Sequence, residues 1–278
     1  MEAFYDLAQS PPTHDFVNWL SRAEEARILA GEASMQIRVV PGVRKFSWRD
    51  AVYSSEKRLW RIHNLLIPMA WLVPSVTEAS LGIGNQTMHY VNPGKARPPI
   101  FKAPKLALEI ISASIPDNAV TISLRKSEFE PSRNSNFHEW MQVADWLKEA
   151  GYNPVFIPDA EADMAGLSDK INRNFMVCHG AAYNHALRLA LYELAEMNLM
   201  INSGIMVFAL HSNVSMMAFK LFVDGILCCS RDNMRQGGFS PEHDWGEGKH
   251  LFWEEDTAWN VIAMLGRHLK PKVEQAAA

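Results

Sequence analysis

The run Met197-Asn198-Leu199-Met200-Ile201-Asn202-Ser203-Gly204-Ile205-Met206 passes from an apolar segment through a small polar turn straight into a second apolar segment. A buried strand that delivers a glycine-containing turn to a helix N-terminus has this pattern. The first N–H groups of such a helix lack intrahelical acceptors and carry the positive end of the helix dipole, so they hold phosphate or another anion. Asn-Ser-Gly is also an ordinary turn, and anion chemistry needs further donors. Arg125-Lys126-Ser127, continuing to Arg133-Asn134-Ser135, supplies them directly after the strand-like Ala119 to Leu124. Arginine clamps a phosphate through two parallel bonds, and lysine adds a point charge. Pro158-Asp159-Ala160-Glu161 places carboxylates after the next strand-like segment, where acids accept hydroxyl hydrogen bonds from a ribose or sugar. Each cluster has a plainer use: Ser135 or Asn136 as a helix cap, Asp159 and Glu161 in a turn or at a helix start.

Two donor-rich loops and one acceptor-rich loop on one sheet edge suit a nucleoside diphosphate, because open parallel sheets bind ligands at the carboxyl ends of their strands. The expected binding residues are Arg125, Lys126, Arg133, Asn134, Ser135, Asp159, Asn202, Ser203 and Gly204. A general base is expected from the opposite half, where Thr13-His14-Asp15 follows the first strand and a Pro-Pro linker. His14 or Asp15 there could deprotonate a hydroxyl, with its pKa tuned by burial. The plain alternative is Thr13 as an N-cap with Asp15 favouring the helix dipole.

Other chemistries find no support. Gly82-Ile83-Gly84-Asn85-Gln86-Thr87 begins like a dinucleotide fingerprint but ends in Thr87, without a long apolar strand before it. The chain has no Gly-x-x-x-x-Gly-Lys-Ser/Thr run and no Gly-x-Ser-x-Gly elbow. Ten histidines include no His-Glu-x-x-His, and Cys178-His179 with His185 has no zinc-ligand spacing, so no metal or other cofactor is expected. A net charge of -4 without long basic runs argues against nucleic acid. Three cysteines, two of them adjacent, suit a reducing compartment, and with no signal-peptide pattern a cytoplasmic protein is expected. No apolar run is long enough to span a bilayer, which leaves peripheral membrane contact open.

These residues must be positioned by an α/β fold, since helical and strand-like segments alternate along 278 residues that are 48% hydrophobic. Helices are expected from Phe16 to Ala23, stopped by Gly31, and from Glu56 to Leu66; strands at Met35 to Val40 and Trp71 to Val73. The glycine- and proline-rich Gly82 to Pro104 reads as loops and a link, which divides the chain into 1–112 and 113–278. Beyond it Ala119 to Leu124, the stripe Phe137, Trp140, Met141, Ala144 and Leu147, and Pro154 to Ile157 make one βαβ unit. A helix from Ala182 to Ala195, short strands at Gly225 to Cys228 and His250 to Trp253, and a last helix capped by Asp256 or Thr257 complete the pattern. Trp245 and Trp253 are packing residues or platforms for a base or sugar ring.

On Val120 to Arg125, Trp140 to Gly151, Asn153 to Asp159 and Leu191 to Met206, the second half resembles the nucleotide-sugar-binding domain of GT-B glycosyltransferases, particularly the heptosyltransferase-like group. In that family an Asp-Ser/Thr-Gly-Pro-Met-His turn opens the helix facing the donor diphosphate. Here Ser203, Gly204 and Met206 match, while Asn202 replaces the acid and Val207 the histidine. The resemblance implies two Rossmann-like domains around a cleft, the C-terminal half being the clearer parallel sheet, and adds Met206 to the binding set. It also implies metal-independent transfer of a sugar from a nucleoside-diphosphate sugar to an acceptor hydroxyl, with Arg125 as the cation for the donor phosphate. The two departures keep alternatives open: a sugar-nucleotide epimerase, or a non-catalytic nucleotide- or phosphate-binding module.

Overall fold

The computed structural model describes residues 1–41, 54–82, 99–160, 166–171 and 173–272. Alternation of apolar and polar residues builds the first sheet, in which β1 (Glu2–Asp6), β2 (Met35–Val40) and β3 (Val76–Leu81) pair in that order, all parallel. Every second side chain of β2 is buried, and Arg38 on the other face pairs with Glu2 and Glu78. The buried face is packed by α1 (Asp15–Leu29) and by the π-helical turn Ile62–Leu66 with α3 (Ile67–Ala70), which continue α2 (Ser55–Arg61), a helix with no buried residue of its own. Trp71 to Val73, expected as a strand, instead closes α3: the amides of Leu72 and Val73 donate to Met69 and Ala70. Those i to i−3 bonds satisfy the backbone while Leu72 and Val73 stay buried.

The second sheet contains β4 (Ala119–Ser123), β5 (Asn153–Ile157), β6 (Met176–Val177), β7 (Met197–Ile201), β8 (Met216–Phe219) and β9 (Lys249–Leu251). Every residue of β4, β7 and β8 is buried, as a parallel strand covered on both faces must be. Its strand order, β6-β5-β4-β7-β8-β9, is the doubly wound 3-2-1-4-5-6 arrangement, whose connections diverge between the first and fourth strands. The switch point therefore lies between β4 and β7. The described helices around it are α4 (Lys105–Ser112), α5 (Phe137–Glu149), α6 (Leu167–Ile171), α7 (His179–Tyr183), α8 (His185–Leu194), α9 (Gly204–Leu210), α10 (Arg231–Gln236) and α11 (Ala258–His268).

Several segments depart from expectation. The helix expected from Ala182 to Ala195 breaks at Asn184, whose side chain accepts from the amides of Ala186 and Leu187 and so starts α8 afresh. Gly225 to Cys228 is a turn, with Gly225 at φ +73° and a single 3-10 turn at Leu227–Cys229. β6, β8 and α10 carry too little periodicity to be read locally. Of the link, residues 83–98, with most of Gly82 to Thr87, lie outside the described residues; Ile100 and Phe101 donate to the carbonyl of His211.

One buried apolar cluster runs from Tyr5, Phe16 and Ile37 of the first sheet layer to Leu189, Met206 and Phe208 of the second. At roughly 25 cal/mol per Å² of buried apolar surface, such aromatic and aliphatic side chains contribute a few kcal/mol each, and here they join the two halves. A second cluster, with Trp140, Phe156, Leu199 and Leu265, fills the other face of the larger sheet. Among the described residues no helix is long and apolar enough to cross a membrane.

Candidate functional site

The loops leaving β4, β5, β7 and β8 meet at the carboxyl edge of the second sheet. Arg133 donates from Nη2 to the carbonyl of Asn202 at 3.4 Å and from Nη1 to Glu130 Oε2 at 2.8 Å. It also lies 3.8 Å from the Cys228 thiol. Arg125 serves a different purpose from the one expected. Its guanidinium donates to Asn134 Oδ1, to the Glu130 carbonyl at 3.3 Å and to the Phe129 carbonyl at 2.6 Å. Ser135 accepts from the Arg125 amide at 2.9 Å and donates its own amide to the Arg125 carbonyl; Asn134 bonds both backbone groups of Ser127. A loop outside regular structure must satisfy its backbone polar groups with side chains, and Arg125, Asn134 and Ser135 do so. Arg133 is the arginine that reaches the Asn202 turn. Lys126 is exposed, and Asp159, half-buried, is near enough for its charge to act on Arg125. Burial and the neighbouring charge of Arg133 push the Arg125 pKa down.

The Asn202 side chain turns inward: Nδ2 donates to the Leu221 carbonyl at 3.0 Å and contacts Cys229 Sγ at 3.4 Å. Met206 is 1% exposed and belongs to the core, so neither side chain faces the crevice. Positions 202 and 206, four apart across the start of α9, share the inward side and pack there. Ser203 occupies the N-cap position of α9 without a side-chain capping bond, and Ser203, Gly204 and Ile205 remain half-exposed.

From the other half, the segment between β1 and α1 is held over this turn. Tyr5 donates its hydroxyl to the Pro11 carbonyl at 2.6 Å, Arg61 donates to Pro12 and Arg58 to Leu7. The held loop presents His14, which takes the N-cap position of α1 with no side-chain capping bond. Thr13, expected as the cap, instead donates to Asp15 Oδ2 at 2.9 Å and accepts from the Asp15 amide. His14 lies so close to Gly204 that a β-carbon there would sit 2.4 Å from His14 Nδ1. The glycine is thus a contact between the halves as well as a turn residue.

His14 Nε2 stands 3.4 Å from His185 Nε2 at the start of α8. Burial, with the charges of His185, Arg61 and Arg188, holds His14 well below the usual histidine pKa. Burial and Arg188 push His185 down to about 3. Both imidazoles are therefore neutral at pH 7, the form in which one ring nitrogen accepts a proton. Arg188 donates to Tyr192 Oη at 3.4 Å, and Tyr192 Oη is 2.6 Å from Ser123 Oγ at the end of β4. His185, Arg188, Tyr192 and Ser123 were missed in the sequence; the available signal was an i, i+3, i+7 row of polar groups on an otherwise apolar helix.

Trp245 is buried against Phe239 and His211 with its Nε1 on the Gly238 carbonyl, while Trp253 lies under Arg231 and Arg235. A groove of about 910 Å³ lies beyond the amino end of β3, near Glu24, Arg27 and Ser75, away from these residues. Among the described residues no three His, Cys, Asp or Glu side chains are grouped to hold a metal.

No family model matches the sequence, and no curated protein is similar to it. Solved structures are. An Escherichia coli ADP-heptose lipopolysaccharide heptosyltransferase II superposes with a TM-score of 0.56 at 12% identity, covering 96% of this chain and 98% of that one. A glycosyl transferase family 9 protein from Veillonella parvula gives 0.51 at 12% identity, over 97% and 90%. The E. coli heptosyltransferase WaaC solved with ADP gives 0.50 at 11% identity, over 97% and 100%. The expected architecture is thus present over nearly the whole length. The fold of this chain is similar to that of these glycosyltransferase structures, with parallel α/β layers on both sides of one seam.

Proposed function

We propose that this chain transfers a sugar from a nucleoside-diphosphate donor to an acceptor hydroxyl. The observation that carries the reading is that a neutral His14 from one half faces Gly204 at the switch point of the other. In this reading the donor lies across the carboxyl ends of β4 and β7, with Asp159 on its hydroxyls. Arg133 and the amides around Ser203 and Gly204 meet the charge that develops on the leaving diphosphate, and no metal is required. His14 removes the proton of the acceptor hydroxyl from the opposite side. Asp15 stays with Thr13 and braces the loop. The apolar seam excludes water, which would otherwise hydrolyse the donor. The WaaC structure with ADP supports a nucleoside diphosphate as the ligand class, and three cysteines that form no disulfide suit action in the cytoplasm.

A thermal-shift screen against ADP, UDP and GDP and their sugars tests the binding step. A nucleotide at a hundred times its dissociation constant adds about 2.7 kcal/mol, and Arg133→Ala should remove most of that gain. Stabilisation by none of these nucleotides sinks the reading. Binding without release of nucleoside diphosphate in the presence of any hydroxyl acceptor would make the chain a non-catalytic module.

A further inference from the structure

Arg188 is 5% exposed, yet no carboxylate among the described residues lies within ion-pair distance of it. Its Nε donates to the Ala181 carbonyl at 2.7 Å and its Nη1 to Tyr192 Oη at 3.4 Å, and neither partner carries a charge. A buried guanidinium without a counter-charge is strongly unfavourable. The adjacent His185, though neutral, is also unsatisfied, since its Nδ1 is buried with no partner while Nε2 faces His14.

Among the described residues the groups that face the pair are cationic or neutral, apart from Asp15, whose carboxylate is bonded to Thr13. The segment before α1 brings His14, with Asp15 bonded to Thr13; α2 brings Arg61; α8 brings Arg188 itself; and α9 brings the edge of Phe208, 5.6 Å from the His185 ring, and Gly204. Through Tyr192 and Ser123 the arginine is tied to the carboxyl end of β4, so the missing negative charge belongs beside the switch point.

We infer that Arg188, His185 and His14 form an oxyanion subsite at the seam between the two halves, one that takes a phosphate group of a phosphorylated ligand. The inference rests on the transfer reading only for which phosphate this is: one of the donor diphosphate, or one carried by the acceptor. The subsite has a chemical consequence for that reading. Burial is the main cause of the low His14 pKa, and the charges of Arg61 and Arg188 add to it; a bound anion offsets those charges, so the imidazole gains basicity with the ligand in place.

The test uses the full chain with inorganic phosphate, pyrophosphate and ADP as probes, followed by calorimetry and thermal shift, in wild type, Arg188→Met and Arg188→Lys. Phosphate or pyrophosphate should raise the wild-type Tm by roughly 5 °C at a hundred times its dissociation constant. Arg188→Met should weaken that binding at least tenfold, and Arg188→Lys should keep part of it. The ligand-free Tm of Arg188→Met should hold or rise, because an uncompensated buried charge has gone. Loss of phosphate and ADP binding together assigns the subsite to the donor; loss of phosphate binding with ADP binding intact assigns it to the acceptor. Failure to bind either inorganic anion, or equal binding by Arg188→Met, overturns the subsite. So does a fall in the ligand-free Tm of Arg188→Met, which would make the guanidinium a structural brace of Ala181 and Tyr192. A chain that binds phosphate through Arg188 but transfers no sugar would refute the transfer reading alone.

Discussion

At the scale of single residues, one absent carbon atom decides how closely the halves approach. A methyl group at 204 would meet His14 Nδ1 at 2.4 Å and Cγ at 2.5 Å, so Gly204→Ala must displace the ring or the helix start. Overpacking of this kind costs about 1–3 kcal/mol, and a moved His14 no longer faces His185. Chemical denaturation of Gly204→Ala should show that loss. The double variant with His14→Ala should recover most of it, because removing the ring relieves the clash. Additive losses would mean that the two residues do not touch. Residue scale also separates two arginines that the sequence presents alike: Arg125 braces its own loop, while Arg133 bridges from that loop to the Asn202 turn.

At the scale of elements, short-range caps aim the long-range contacts. Asn184 ends one helical turn and begins α8, which sets the rotation that carries His185 and Arg188 to the seam. Asn184→Ala should cost about 1 kcal/mol as a lost cap and should shift the His185 ring signals in NMR spectra. Unchanged His185 signals would show that tertiary packing alone fixes the helix. Asp256 performs the equivalent task for the β4 loop. Buried at 2% exposure, it accepts from the Asn136 amide at 2.8 Å and from Trp140 Nε1 at 2.9 Å, and pairs with Lys220 at 3.3 Å. Asp256→Ala leaves those donors buried without an acceptor, and the expected loss is roughly 3 kcal/mol. The urea midpoint measures it, and a change below 1 kcal/mol, on the order of a single exposed ion pair, would refute the clamp.

At the scale of the whole molecule, the seam combines apolar packing with two histidines kept neutral. Their folded pKa values lie below the unfolded value, so between those values the unfolded chain binds more protons. Stability is full above about pH 6.5 and is lost as pH falls toward the folded values. His185, pushed down to about 3, should alone remove about 2 kcal/mol between pH 7 and pH 5. Denaturation at the two pH values should show this decline, and His185→Phe should reduce it, leaving the part due to His14. A wild-type stability unchanged across that window would place a protonated imidazole in the folded seam. An anion in the proposed subsite should reduce the decline, since it favours the protonated rings.

Much of the architecture was legible locally. The all-apolar strands around Val120 and Leu199, the alternation in Met35 to Val40 and the helix stripe through Trp140 each follow from periodicity, because burial on one face or two leaves a local imprint. The Asn202-Ser203-Gly204 turn and the Arg133 loop were legible as donors after strands for the same reason. Tertiary structure alone decided their use. Strand order placed β4 beside β7, which made two distant loops neighbours, and docking of the first half set His14 against Gly204 and His185. The sequence could nominate polar residues at strand ends, but whether a side chain braces its loop or faces a ligand depends on partners many residues away, and those exist only once the sheets have formed and packed.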